Sequence, residues 1–303
     1  MGMVSSRLLL VALWAIGAAT HAAEGDRQTL KVGGVSRSYV VRLPDELSKN
    51  SKPVPLVFVL HGGGGNAANA ENMTGFTEKG RREGFIVVYP EGSGPIAGNL
   101  LTWNAQHCCA YAMKNEIDDV GFIRALLDDL SARYPVDPRR VYATGMSNGA
   151  MMTHRLGIEL SDRLAAIAPV VGTLFGDEKK PGHAVPALMI NGMLDKNVPH
   201  DGGAPGGRGA RSWDGTPTLP ALAQLEFWDE ANACTDSPRK QEDAHWSVWR
   251  GDCRTGHDVV LYLINDNGHA WPGGQPGSNR GDTPSTAMNA TDVIWEFFKS
   301  HPK

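Results

Sequence analysis

Val141-Tyr142-Ala143-Thr144-Gly145-Met146-Ser147-Asn148-Gly149 is the stretch on which the fold of this chain turns. A short run of β-formers stops in a G-x-S-x-G pentapeptide, and Asn148 to Leu160 then carries Met151, Met152 and Leu156 at spacings that suit a helix. Strand, tight turn and helix in that order are what a nucleophile elbow requires: a serine in strained backbone geometry, its hydroxyl exposed above a sheet. Gly145 and Gly149 let neighbouring backbone pass close on either side. About 0.2 chance occurrences of the bare pentapeptide are expected from this composition, so the flanking elements carry the argument. The competing reading is a Gly-Ser helix cap.

Outward from that segment, buried strands alternate with helices. Pro55 to Leu60 is an apolar run ending in His61-Gly62-Gly63-Gly64-Gly65, and Phe85 to Tyr89 is a second, stopped by Pro90. Such runs read as strands buried on both faces. Ser38 to Leu43 alternates as a strand, and a helix is expected over Asn72 to Arg82. Asp119 to Tyr134 has Val120, Ile123, Leu126, Leu127 and Leu130 at helical spacing, with Asp119 as its expected N-cap. Further strands are expected over Leu164 to Val171, Pro186 to Ile190, Trp246 to Trp249 and Val259 to Ile264, and helices over Leu219 to Ala233 and Asp292 to Lys299. The alternation argues an α/β fold, a mostly parallel central sheet with helices on both faces. Glu91 to Glu116 is irregular and longer than compact domains usually tolerate without a function.

A serine hydroxyl is a poor nucleophile until a base takes its proton, so Ser147 requires a histidine and a carboxylate that orients it. Asp195, in Asn191-Gly192-Met193-Leu194-Asp195, and His269, in Asn267-Gly268-His269-Ala270-Trp271, each follow an expected strand. Turns at strand ends are where the sites of open α/β sheets collect. The order Ser, Asp, His is that of the α/β-hydrolase fold. Rivals for the base and acid are His200, Asp201, Asp258 and Asp266. The oxyanion that develops in acyl transfer needs fixed donors. Gly62 and Gly63 in the early glycine turn, and Asn148 after the nucleophile, are the candidates for backbone N–H groups.

With 36 glycines in 303 residues, about 12%, the chain exceeds the roughly 7% average. The strand-end turns account for part of that excess; Gly202 to Gly209 is read only as a surface loop. A formal net charge of -4 leaves no basic stripe for phosphate backbones, so nucleic acid is excluded as a partner. Arg7 and the apolar run Leu8 to Ala19 read as a secretory signal cleaved near Ala22, so that residues 1–22 are a leader and 23–303 one catalytic domain, secreted or periplasmic. The run is too short for a membrane span. Export permits disulfides, and Cys108, Cys109, Cys234 and Cys253 allow three pairings. A Cys234–Cys253 bridge would close an easy loop, whereas neighbouring Cα atoms about 3.8 Å apart fall below the usual disulfide window. No Cys-x-x-Cys or His-x-x-x-His spacing suggests a metal, and no motif calls for a cofactor.

Leu60-His61-Gly62-Gly63-Gly64, Trp103-Asn104, Cys108-Cys109, Asp118-Asp119-Val120-Gly121-Phe122, the Ser147 pentapeptide, Asp195 with Val198-Pro199, and Gly268-His269-Ala270-Trp271-Pro272-Gly273 together resemble the polyhydroxybutyrate depolymerase and feruloyl esterase group of secreted α/β hydrolases. The resemblance spans most of the chain after the leader. It implies Ser147, Asp195 and His269 as a catalytic triad and disulfides that tighten the substrate side. Many depolymerases of this type carry a Cys soon after the His-Gly of the oxyanion loop, where Gly63 or Gly64 stands here, so their disulfide pattern does not transfer. No polymer-binding module is expected after the last helix, which points to soluble oligomers or small esters.

Trp103, Trp271 and Met146 are the candidates to line the acyl pocket, with core packing an equal alternative for Trp103. The expected activity is that of a serine carboxylesterase acting on a small or oligomeric ester: hydroxyalkanoate oligomers or polyester, or feruloyl and acetyl esters. The alternatives are a peptidase or amidase on the same fold and a non-catalytic hydrolase-like binding protein. Nothing in the sequence specifies an oligomeric state.

Overall fold

The edge hairpin β1 (Arg27–Val32) and β2 (Val35–Arg42) opens a ten-stranded sheet that organises the chain in this computed structural model, which describes residues 27–48, 51–254 and 256–303. The expected leader lies outside the described residues. Next in the chain come β3 (Val54–Leu60), helices α1 (Ala67–Thr74) and α2 (Phe76–Glu83), and β4 (Ile86–Pro90). Helices α3 (Ala110–Lys114) and α4 (Asp119–Arg133) precede β5 (Val136–Met146), which runs through Ser147 into α5 (Asn148–Glu159). Then follow β6 (Ala166–Val170), β7 (Ala187–Gly192), α6 (Ala221–Ala231), the hairpin β8 (Asp236–Glu242) and β9 (Trp246–Asp252), β10 (Val259–Ile264), and α7 (Ala290–Ser300). The spatial order is β1-β2-β4-β3-β5-β6-β7-β10-β9-β8. Strands β4 to β10 in that order are parallel to their neighbours, and antiparallel strands complete both edges. This is the α/β-hydrolase fold.

The period-two alternation of β3 divides the core. Leu56, Phe58 and Leu60 face a cluster with Ile123, Leu126, Met152, Leu156 and Trp228 from α4, α5 and α6. Val57 and Val59 face the opposite cluster, with Ala70, Phe76, Ile294, Trp295 and Phe298 from α1, α2 and α7. Burial on both faces is why these strands are apolar throughout.

Several expectations are corrected. The helix anticipated over Asn72 to Arg82 is two helices, because Gly75 adopts φ +69° and ends the first. Asp118, not Asp119, caps α4, accepting from Gly121 N–H at 2.8 Å. Asp119 is buried instead; its oxygens accept from Arg37 Nη2 at 2.6 Å and from Asn104 N–H at 2.7 Å, tying the long loop to β2. That loop contains α3 and a small bridge between Ser93 and Thr102. Of the three cysteine pairings the structure has Cys234–Cys253, between the end of α6 and the end of β9, and Cys108–Cys109, whose peptide bond is cis. No helix among the described residues is long and apolar enough to cross a membrane.

Candidate active site

Strand β5 delivers Ser147 at its carboxyl end with φ +58° and ψ −123°, a region that a non-glycine residue occupies only when its surroundings dictate it. The surroundings are close on both sides. A Cβ on Gly145 would stand 2.6 Å from Gly149 O, and one on Gly149 would stand 2.6 Å from Leu60 O with His61 O nearer still. Gly149 is therefore fixed by the approach of the backbone at the end of β3, and Gly145 by the Gly149 backbone that folds back over it and by Leu60 Cβ.

The turns after β7 and β10 bring the other two residues to Ser147. His269 Nε2 lies 2.8 Å from Ser147 Oγ, and His269 Nδ1 lies 2.7 Å from Asp195 Oδ2. The second carboxylate oxygen of Asp195 accepts the N–H groups of Asn197 at 2.8 Å and Val198 at 2.9 Å. With its side chain almost fully enclosed, the carboxylate has no rotational freedom left. Asp282, which carries no sequence pattern, accepts the main-chain N–H of His269 at 2.7 Å and holds that turn. The rivals are engaged elsewhere: His200 pairs with Asp201, Asp258 with His301, and Asp266 with Ser285.

The glycine turn after β3 faces the serine. A Cβ at Gly62 would lie 3.5 Å from Ser147 Cβ, and one at Gly63 would lie 3.6 Å from Asn148 Cβ. The N–H of Gly64 is spent on Leu101 O and that of Gly65 on Gly62 O, whereas the N–H groups of Gly62 and Gly63 have no partner among the described residues. Asn148 opens α5, so its N–H has no intrahelical acceptor. Its side chain bridges to Trp103, accepting from Trp103 N–H at 2.7 Å and donating to Trp103 O at 3.0 Å.

His61 is wholly enclosed, and burial pushes it down to about 4, so the ring is neutral. Its Nδ1 lies 2.8 Å from Gly62 O, and its Nε2 accepts Gly92 N–H at 3.0 Å. The ring therefore donates to the Gly62 carbonyl, the other half of the peptide that carries the Gly63 N–H. In the sequence alone this histidine marks only the start of the glycine turn.

Two cavities flank Ser147. The smaller, about 310 Å³, is polar, with Asn66, Asn69, Ser278 and Asp282 on its walls and Met146 beside the serine. The larger, about 620 Å³, is bounded by Leu100, Tyr111, Val198, Trp213 and the Cys108–Cys109 pair. Trp103 and Trp271 line neither, which corrects their expected role. Trp103 is fully buried and its Nε1–H donates to His61 O at 2.9 Å; Trp271 packs on Phe76 and donates to Thr291 Oγ1 at 3.0 Å. Buried indoles need acceptors, and both find theirs in the scaffold. Asp229, Cys234 and Cys253 are the described group close enough to share a metal, but both sulfurs are in a disulfide.

The profile of a family described as Esterase PHB depolymerase matches residues 37–218. Feruloyl esterase B of Piromyces equi is 30% identical over 249 residues, which are 80% of this chain and 44% of that relative, so the chain spans less than half of it. A protein named Putative esterase NocK, from Nocardia uniformis subsp. tsuyamanensis, is 31% identical over 258 residues, 80% of this chain and 73% of the relative. Among solved structures, an acetyl xylan esterase from Aspergillus awamori superposes with a TM-score of 0.59 at 13% identity, over 90% of this chain and 98% of that one, a likeness of fold.

Proposed function

This chain belongs to the esterase PHB depolymerase family, and from that premise we propose that it is a serine esterase that cleaves carboxylic esters through an acyl-enzyme on Ser147. The observation that carries the reading is the unbroken series of hydrogen bonds from Asp195 through His269 to Ser147. Ser147 Oγ attacks the ester carbon as its proton passes to His269 Nε2, and Asp195 keeps the imidazole in the tautomer that can accept it. The carbonyl oxygen becomes an oxyanion between the N–H groups of Gly63 and Asn148. Donors fixed at that point are each worth about 3 kcal/mol in the transition state. The tetrahedral intermediate collapses, His269 returns the proton to the leaving alcohol, and water repeats the sequence on the acyl-enzyme.

Small or oligomeric esters are the substrates, in the range the relatives' names suggest: feruloyl and acetyl esters and hydroxyalkanoate oligomers. The two disulfides support export into an oxidising compartment, with residues 1–22 as leader and 23–303 as one catalytic domain. The test is Ser147→Ala, which should abolish hydrolysis of p-nitrophenyl acetate and butyrate and labelling by a fluorophosphonate while leaving the circular dichroism spectrum and melting temperature near those of the parent. Retained hydrolysis in that variant overturns the reading.

A further inference from the structure

The segment Gly203 to Thr218 contains most of the glycine cluster that the turns around Ser147 do not explain. It is a loop closed at its base: Gly203 N–H donates to Thr218 O and Thr218 N–H to Gly203 O, both at 2.8 Å. Surface loops of this Ω type, with joined ends and internal packing, often serve a site. Two of its glycines are placed by contact with the turn that bears Asp195. Gly206 N–H donates to Asn197 O at 3.1 Å, and a Cβ on Gly206 would run into Lys196 O, as one on Gly207 would into the Asn197 side chain. The far side of the loop, at Gly209, Ser212 and Trp213, forms a wall of the larger cavity.

Trp213 is located by three separate contacts. Its backbone forms a bridge with Cys108. Its ring meets Phe175 edge-on at 5.8 Å, and Phe175 in turn meets the His107 ring at 5.0 Å. The next residue, Asp214, donates its N–H to His107 O at 3.1 Å and offers Oδ2 to His107 Nδ1 at 2.7 Å. His107 Nε2 reaches Asp177 Oδ2 at 2.9 Å. One imidazole thus ties three loops together: its own beside the Cys108–Cys109 pair, the Gly203–Thr218 loop through Asp214, and the loop after β6 through Asp177.

We propose that the Gly203–Thr218 loop is the specificity element of the esterase, with Trp213 the face against which the acyl arm packs and His107 a positioning residue that fixes Trp213. This deepens the reading of Ser147 as an acyl-enzyme nucleophile and rests on it. The division between the cavities supplies the direction. The larger one touches both Gly63 and Asn148, beside which the acyl carbon stays bound, and has Leu100, Tyr111, Val198 and Trp213 as apolar walls. The smaller one has Asn66, Asn69 and Asp282 to solvate a hydroxylated alcohol arm and incoming water. The enzyme therefore favours an apolar acyl group bulkier than acetyl.

The experiment compares p-nitrophenyl hexanoate with p-nitrophenyl acetate, and hexyl with ethyl acetate, on Ser147→Ala, Trp213→Ala, Trp213→Phe, Gly209→Phe and His107→Ala. Trp213→Ala should lower the hexanoate-to-acetate ratio of kcat/KM about tenfold, mainly through KM, which is the range for losing apolar contact in a pocket. Trp213→Phe should recover most of that ratio. His107→Ala should lower it in the same direction by about threefold. Gly209→Phe puts a ring into the cavity from a backbone where an added Cβ would touch only Trp213 Nε1, at an ordinary 3.9 Å, and should also lower the ratio while Trp213 stays in place. A ratio unchanged in both Trp213→Ala and Gly209→Phe overturns the proposal. So does a change confined to the hexyl-to-ethyl ratio, which would assign the wall to the alcohol arm. Hydrolysis surviving Ser147→Ala overturns the acyl-enzyme reading first and the proposal with it; its loss together with an unmoved ratio sinks the loop proposal alone.

Discussion

On one side of Ser147 stand turns that end strands of the sheet; on the other stand loops joined by an imidazole, two carboxylates and a vicinal disulfide. The first side is held by backbone contact so close that glycine is required at Gly145 and Gly149. The second is held by side chains near solvent, with His107 about a quarter exposed. Chemistry that needs atoms fixed within tenths of an ångström sits on the sheet, and the choice of acyl group sits on the loops. Changes on the sheet side should therefore act on kcat, and changes on the loop side on KM and selectivity.

Asp195→Asn is the sharpest break on the sheet side. Because Oδ1 is committed to two N–H groups, the new amide nitrogen would have to face His269 Nδ1. It would donate there, force the proton onto Nε2, and leave Ser147 without a base. We expect kcat to fall roughly 10⁴-fold with the fold intact; a loss under tenfold would show that Asp195 does not set the tautomer. His61→Ala comes next. It frees the peptide between Gly62 and Gly63 and leaves Gly92 N–H without its acceptor. A kcat lower by about tenfold to a hundredfold, with a smaller change in KM, would fit a misaimed oxyanion donor. An effect on KM alone would argue against it.

Gly149→Ala tests the backbone approach itself. The added methyl would meet Leu60 O at 2.6 Å, where the first turn of α5 is pressed against the backbone at the end of β3. Overpacking of this kind costs about 1–3 kcal/mol, which a thermal melt would read as a drop of several degrees together with lost activity. A melt unchanged from the parent would mean that the turn can relax.

The sheet side was legible because its signals are local. A glycine-flanked serine between a strand and a helix, and turns after apolar runs, appear within a few residues of sequence, and Ser147, Asp195 and His269 meet because parallel strands end at one edge. Strands β1 and β8 were not anticipated, since Arg27–Val32 and Asp236–Glu242 are polar edge segments whose order comes from pairing on one side only. Trp103 and Trp271 misled because adjacency to a motif says nothing of which way an indole points. Trp213 and Asp282 lie in segments without periodicity, and only tertiary contacts bring them to the site. Asp119 was read from its neighbour's role at the start of α4, although its partner, Arg37, lies far back on β2.

Titration separates the two sides in opposite senses. His61, and His154 on α5 with Gln224 and Trp228 against its ring, are buried, and burial lowers both to about 4. A histidine whose folded value lies below its unfolded value of about 6.5 takes up protons on unfolding, so stability falls as pH drops from about 6.5 to 4. The melting temperature should decline through that window, and the two imidazoles should keep neutral NMR signatures until its lower end; charged signatures at pH 6 would contradict the burial argument.

The loop side has the reverse sign and the smallest effect. Partial burial works to lower His107, but its hydrogen bonds to Asp177 and Asp214 outweigh that and raise it. A raised histidine stabilises fully below its unfolded value and loses that contribution as pH climbs through its folded value. Asp214 sets the acid limit, because the Thr216 N–H and His107 hold it below the ordinary carboxylate range and the contact fades only on strong acidification. Gln at position 107 keeps hydrogen-bonding capacity and cannot be charged. The parent should therefore exceed His107→Gln in stability near pH 5 to 6 by under about 1 kcal/mol, given the exposure of the pair. That margin, about 1–2 °C in melting temperature, should vanish by about pH 9. A constant difference across that range would mean that His107 holds the loop by shape and hydrogen bonding alone, and selectivity would then be insensitive to pH as well.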